Sequence, residues 1–232
     1  MKNAPNSTPS LSKNETLTGS FYLVFQLLLL PGLLTAINAL LPRPLSSGEL
    51  NFTFYLLNFL AVLWIFQDFL GRSAAVLRRR FFPVLQAVIL GTVFYFACAW
   101  GLELFFARFA PGFHNANDAS IAAMGRESRY LMTIGTVLLV PLAEECFYRG
   151  LVFRNIYSTS PVLAYIVSIL VFAAIHILGF VSSYTPVHLL LAFLQYVPAG
   201  VCLAWSYQKA GTIFAPVAVH AIVNAVGIYR LR

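Results

Sequence analysis

Apolar residues in this chain fill long, nearly unbroken runs, near 21–41, 53–71, 81–107, 130–153, 161–181, 186–207 and 212–229. Each is close to the roughly 20 residues that an α-helix needs to cross a hydrocarbon layer about 30 Å thick. The pattern predicts an all-α, polytopic membrane helical bundle of about seven transmembrane helices. Polar residues dominate the opening stretch, MKNAPNSTPSLSKNETLTGS, which reads as a disordered tail over 1–20. The run after it is too long for the core of a cleaved signal peptide and reads as a retained anchor. Three parts follow: the tail 1–20, N-terminal transmembrane helices over 21–129, and later helices over 130–229.

Composition strengthens this picture. Of 232 residues, 59% are hydrophobic and 10% charged, whereas soluble domains carry about 25% charge. The mean hydropathy is +0.79, so the lipid bilayer is the expected solvent. The 15 Lys and Arg outnumber the 8 Asp and Glu, and their scatter suggests contact with anionic lipid rather than nucleic acid. Arg72, Arg78, Arg79 and Arg80 gather in the segment 71–80. A basic loop of this kind belongs on the cytoplasmic side, taking with it the amino terminus and the segments holding Arg154 and Lys209. Residues 108–129 and the carboxyl terminus then face outward, although Arg43, Arg108, Arg126, Arg129, Arg230 and Arg232 fall on that side. The expected location is the cell membrane, crossed several times. Cys98, Cys146 and Cys202 all lie in apolar stretches and imply no disulfide framework.

Ionisable groups inside spans carry the chemistry, because each costs about 2.5–3.5 kcal/mol at a helix centre unless something compensates it. Asp68, Glu103 and His188 sit at span ends, where water is within reach. The run VPLAEECFYRG differs, placing Glu144, Glu145 and Arg149 within one and a half turns. Glu145 and Arg149 are four apart and face the same way, so they can form an ion pair. Glu144, about 100° round the helix, is then the spare carboxylate. Pro141 cannot donate to the carbonyl of Val137, which loosens the ladder just before the pair. Later runs hold Phe172 and His176, then His220 and Asn224, each pair again four apart. At about 1.5 Å per residue from the span ends, Glu144, His176 and His220 lie about 14, 22 and 12 Å deep, so a common cavity is expected. A lone His or Asn on such a helix serves as often to glue helices together.

The three motifs, Glu144-Glu145-x-x-x-Arg149, Phe172-x-x-x-His176 and His220-x-x-x-Asn224, resemble those of CPBP-family intramembrane proteases. That group includes CAAX prenyl endopeptidases and the bacterial Abi proteins. The resemblance covers about residues 130–228, and it implies a bundle of seven or eight helices and proteolysis near the end of a membrane-anchored chain. The implied partners are a membrane-anchored peptide or protein substrate and the lipid bilayer.

The expected chemistry is hydrolysis by water. No Gly-x-Ser-x-Gly elbow is present, and Cys146 reads as a small hydrophobe. Glu144 would activate water, His176 would hold it, and His220 and Asn224 would stabilise the oxyanion. Glu145, Arg149, Phe172 and Pro141 would support the site. Two His and a Glu are also a common catalytic zinc set, so Glu144, His176 and His220 are the candidate ligands should a metal take part. Metal-free, glutamic-type chemistry is the preferred expectation. The alternatives are a non-catalytic bacteriocin-immunity type of membrane protein and a proton-coupled transporter.

Overall fold

The computed structural model describes residues 8–230. The first helix, α1 (Lys13–Leu28), starts inside the stretch expected to be disordered. Ser12 and Glu15 explain why, because they form a reciprocal capping box that satisfies two backbone donors. The expected tail is thereby corrected from residue 13 onward, and its residues 1–7 lie outside the described residues. Pro31 then interrupts the first apolar run, since it cannot donate to the carbonyl one turn back. The run becomes α1 and α2 (Leu30–Leu40), bent by 53°.

A second capping box, Ser46 with Glu49, opens α3 (Ser47–Ile65). The Arg-rich segment expected as a loop is instead part of a helix, α4 (Gln67–Arg79). It is amphipathic: Phe69, Leu70, Ser73 and Val76 are buried, while Arg72, Arg78 and Arg79 stay exposed. The long α5 (Phe81–Phe109) leads to α6 (Ala116–Glu127), a helix within the segment expected as an outer loop. Next come α7 (Arg129–Tyr157), α8 (Pro161–Leu178), α9 (Pro186–Ala210) and α10 (Phe214–Arg230). Gly211, at φ 70°, ends α9 in the left-handed conformation that glycine adopts without a side-chain penalty.

Among the described residues, five helices are long and apolar enough to cross a membrane, or six if the bent pair counts as one span. The last apolar run forms α10, which is shorter at 17 residues. This is the architecture of a multi-pass membrane protein. Trp64, Phe82 and Trp100 remain exposed on its surface, where lipid would cover them. Half of the apolar window of α7 is buried, against 17% for α5. The central helix is therefore the one carrying the ionisable groups, packed against α1, α3, α8, α9 and α10.

At one end of the bundle the N-terminal segment is strapped down. Arg72 Nη2 donates to the Ser10 carbonyl at 3.1 Å and Arg154 Nη2 to the Thr8 carbonyl at 3.4 Å. Thr212 Oγ1 donates to the Ser73 carbonyl at 2.9 Å at the same end. The amino-terminal segment, α4, Arg154 and the α9–α10 turn thus share one side, as the charge pattern requires. Arg232, placed outward in that pattern, lies outside the described residues.

Candidate active site

The site begins with a change of helical register. Within α7, Gly135–Leu139 and Cys146–Phe153 are π-helical and flank an α-helical turn, Val140–Glu145. The Val140 amide donates to the Gly135 carbonyl, five residues back. In that register the next carbonyl, Thr136, would need the amide of residue 141, which is proline. The stranded acceptor is therefore Thr136, where the sequence pointed to Val137. Asn224 Nδ2 of α10 donates to it at 2.8 Å, so Pro141 creates an acceptor and Asn224 fills it. One N–H of Asn224, assigned to the oxyanion from sequence, is thus committed to a tether, leaving its other N–H for that task.

Glu145 is the hub of the buried charges. Its Oε1 lies 3.0 Å from Arg149 Nη1, with both side chains 0% exposed, and 2.9 Å from His220 Nδ1. Sequence spacing accounts for the first contact; the second, across to α10, gives Glu145 a place beside the imidazole that the clamp reading lacked. Arg149 also donates from Nη2 to the Gly200 carbonyl at 3.3 Å and lies 4.5 Å over the Phe172 ring. Close packing favours glycine at 200, because a Cβ there would sit 3.1 Å from Ile169 Cα. Phe172 joins the parts: its ring is 4.6 Å from that of His176 and 5.9 Å from that of His220.

Glu144, His176, His220 and Asn224 all line one cavity of about 590 Å³. The four groups named from sequence are brought to a common space from three helices. Glu144 lines the cavity where Glu145 and Arg149 do not, and its Oε2 is buried without a hydrogen-bond partner among the described residues. His176 Nδ1 lies 2.7 Å from the Phe172 carbonyl. A carbonyl only accepts, so Nδ1 carries the proton and Nε2 of the neutral ring offers a lone pair. Cys146 is fully buried in the apolar core, as expected of a small hydrophobe.

Sequence reasoning missed the polar wall on the far side of His176. Tyr196 stacks on that imidazole, with ring centroids 4.4 Å apart at 29°. Gln195, Asn117 and Asp118 line the cavity beside it. Burial raises the Asp118 carboxyl above its ordinary range, while the bond from Gln195 and the proximity of His176 act in the opposite direction. The only signal was N-A-N-D in a segment between runs, which reads as a helix cap. Glu103, expected at a span end, pairs with Arg230 at 2.9 Å, both 59% exposed. Glu144, His176 and His220 do not converge as a metal-binding group, and no other three His, Cys, Asp or Glu among the described residues do so.

Residues 126–226 match the family described as Rce1-like, type II CAAX prenyl endopeptidase. The match takes in α7, α8, α9 and most of α10, and with them all three motifs. No curated protein and no solved structure matches the chain. Residues 126–226, whose Glu144, Phe172, His176, His220 and Asn224 line one cavity, are thus similar to the Rce1-like, type II CAAX prenyl endopeptidase family.

Proposed function

We propose that the protein is an intramembrane endopeptidase that hydrolyses a peptide bond in a membrane-anchored or C-terminal substrate segment, using water activated by Glu144. The observation that carries this reading is the single cavity shared by Glu144, His176, His220 and Asn224. The family match supports the same class of activity. Water is held between Glu144 and the Nε2 lone pair of His176. Glu144 takes one proton as the water oxygen attacks the scissile carbonyl, whose electron pair moves to its oxygen. His220 and the free N–H of Asn224 donate to that oxyanion. When the intermediate collapses, the C–N bond breaks and the proton on Glu144 passes to the departing amine.

Glu145 explains how His220 can be a donor. Its Nδ1 faces Glu145, so Nε2 donates only when the ring is an imidazolium. Glu145 is the carboxylate that faces the ring in that form. With His220 protonated, the buried set sums to zero: Arg149 and His220 against Glu144 and Glu145. No step passes through a metal ion. The basic end, with α4 and the amino terminus, is assigned to the cytoplasmic face of the cell membrane on its Arg content.

The test uses purified protein in lipid nanodiscs and an internally quenched, S-prenylated peptide with a free carboxyl end. Glu144→Gln keeps the shape and removes the base, so kcat should fall about 10³-fold or more with an unchanged unfolding midpoint. Wild-type turnover in that variant would overturn the reading and favour a non-catalytic membrane role.

A further inference from the structure

His176 is held from two sides, by Phe172, whose ring lies 4.6 Å from the imidazole, and by Tyr196. The His176 Nδ1 is bonded to the Phe172 carbonyl, and one hydrogen bond fixes an edge of the ring but not its rotation about that bond. The Tyr196 ring, stacked at 4.4 Å, closes off one face. Tyr196 is in turn fixed by a segment outside the spanning helices. Asn117 Nδ2 donates to its hydroxyl oxygen at 3.0 Å, and Asn115 Nδ2 approaches the same oxygen at 3.4 Å. Asn115 also donates to Gln195 Oε1 at 3.0 Å, and Gln195 Nε2 donates to Asp118 Oδ2 at 3.4 Å.

The same asparagine starts the helix that delivers these groups. Asn115 Oδ1 accepts from the Asn117 amide at 2.8 Å and the Asp118 amide at 3.4 Å, and the residue is only 8% exposed. A buried side chain that caps one helix while gripping another does more than end a loop. Two adjacent residues of α9, each gripped by the first turn of α6, form a bracket whose free end is the ring lying on His176.

We infer that Tyr196 is a positioning residue for His176, and that the first turn of α6 belongs to the site by holding Tyr196 in place. Because His176 keeps its bond to Phe172, losing the bracket leaves the imidazole present but misdirected, so its Nε2 no longer holds water in line with the substrate carbonyl. Turnover is then affected and substrate affinity is not. The turnover part rests on the hydrolase reading; the contact with His176 does not.

The experiment therefore has two readouts, both on the full chain in nanodiscs. In protein carrying ¹⁵N- and ¹³C-labelled histidine, the His176 ring signals, identified by their loss in His176→Gln, report the stacked tyrosine through its ring current. Tyr196→Leu should move them, and Asn117→Ala should move them in the same direction by less. With the quenched prenylated peptide, Tyr196→Leu should lower kcat about 30-fold or more and leave KM within about twofold. Tyr196→Phe, which keeps the ring and loses the hydroxyl contact, should cost about threefold to tenfold. Asn117→Ala added to Tyr196→Phe should cost nothing further, since the bond from Asn117 is already lost with the hydroxyl. Unmoved His176 signals in Tyr196→Leu would overturn the positioning role, as would a fall in kcat fully matched by loss of folded protein. Moved signals with an unchanged kcat would keep the contact and overturn its catalytic consequence. Loss of activity in Tyr196→Leu but not in His176→Gln would count against the hydrolase role of His176 itself.

Discussion

Glu15 and Glu145 are both almost wholly buried carboxylates bonded to an arginine, yet their surroundings differ. Glu15 sits where α1 meets α4, and each of its oxygens is used. Oε1 accepts from the Phe69 amide at 2.7 Å, and Oε2 accepts from the Ser12 amide at 2.7 Å and from Arg72 at 2.8 Å. Arg72 is 44% exposed, so that pair is also reached by solvent. Glu145 lies mid-bundle beside an arginine with no exposure, and its Oε2 is buried without a partner among the described residues, as is Oε2 of Glu144. A carboxylate that is saturated at a bundle end ties helices together. Of Glu144 and Glu145, the former lines the cavity, and a carboxylate with a spare acceptor there is the one expected to meet a ligand or water.

The most damaging way to break this comparison is to remove Arg149. Arg149→Ala strands Glu145 in a dry interior, where losing one partner of a buried pair costs about 3–5 kcal/mol. His220, 2.9 Å from the same oxygen, still bonds to it, so the loss should fall near the lower figure. Folded yield and denaturant unfolding midpoints should drop sharply, while turnover per folded molecule falls less. Arg149→Lys should not restore stability, because one ammonium cannot meet Glu145, the Gly200 carbonyl and the Phe172 face together. Normal stability with abolished turnover would make Arg149 a substrate-binding residue instead.

The histidines come next. His176→Ala and His220→Ala should each lower kcat per folded molecule about 100-fold or more with insertion preserved, read on the quenched prenylated peptide. His220→Ala should also lower stability, since it strips Glu145 of a neighbour, whereas His176→Ala leaves every bond of Glu145 in place. An equal stability loss in both would contradict the hub placed at Glu145.

Glu15→Gln supplies the opposite pole. It should lower the unfolding free energy by about 1–2 kcal/mol through weakened bonds to Arg72 and the backbone. Because those contacts hold the strap and not the cavity, kcat should stay within about twofold. A large loss of turnover at full folding would erase the distinction between the two carboxylates.

How far these contacts could be read in advance depended on whether they run along one helix or between helices. Glu145 with Arg149 follows from i, i+4 spacing, and the spans follow from run length, because both are local properties of a chain in lipid. The bonds from His220 to Glu145 and from Asn117 to Tyr196 join residues 75 and 79 positions apart, and no periodicity encodes them. The start of α1 was legible in S-K-N-E but was outweighed by the polar composition around it. The amphipathic α4 was masked in the same way, its arginines suggesting a loop while Phe69, Leu70 and Val76 kept helical spacing.

Pro141 lies between those two kinds of legibility: its missing donor is plain in sequence, but which carbonyl it strands depends on the π register. If Thr136 is that carbonyl and Asn224 its substitute donor, restoring an amide should release Asn224. Pro141→Ala should therefore leave stability unchanged or slightly raised, since a backbone donor is regained and a helix-disfavouring residue is lost. Turnover should fall by about tenfold, equivalent to about 1.4 kcal/mol, as Asn224 loses its fixed direction toward the oxyanion. Asn224→Ala should then cost less in the Pro141→Ala background than in the wild type, because the tether it removes is already gone. Strictly additive losses would mean that proline and asparagine act independently, and that the π-helical turn before Glu144 is not what aims Asn224 into the cavity.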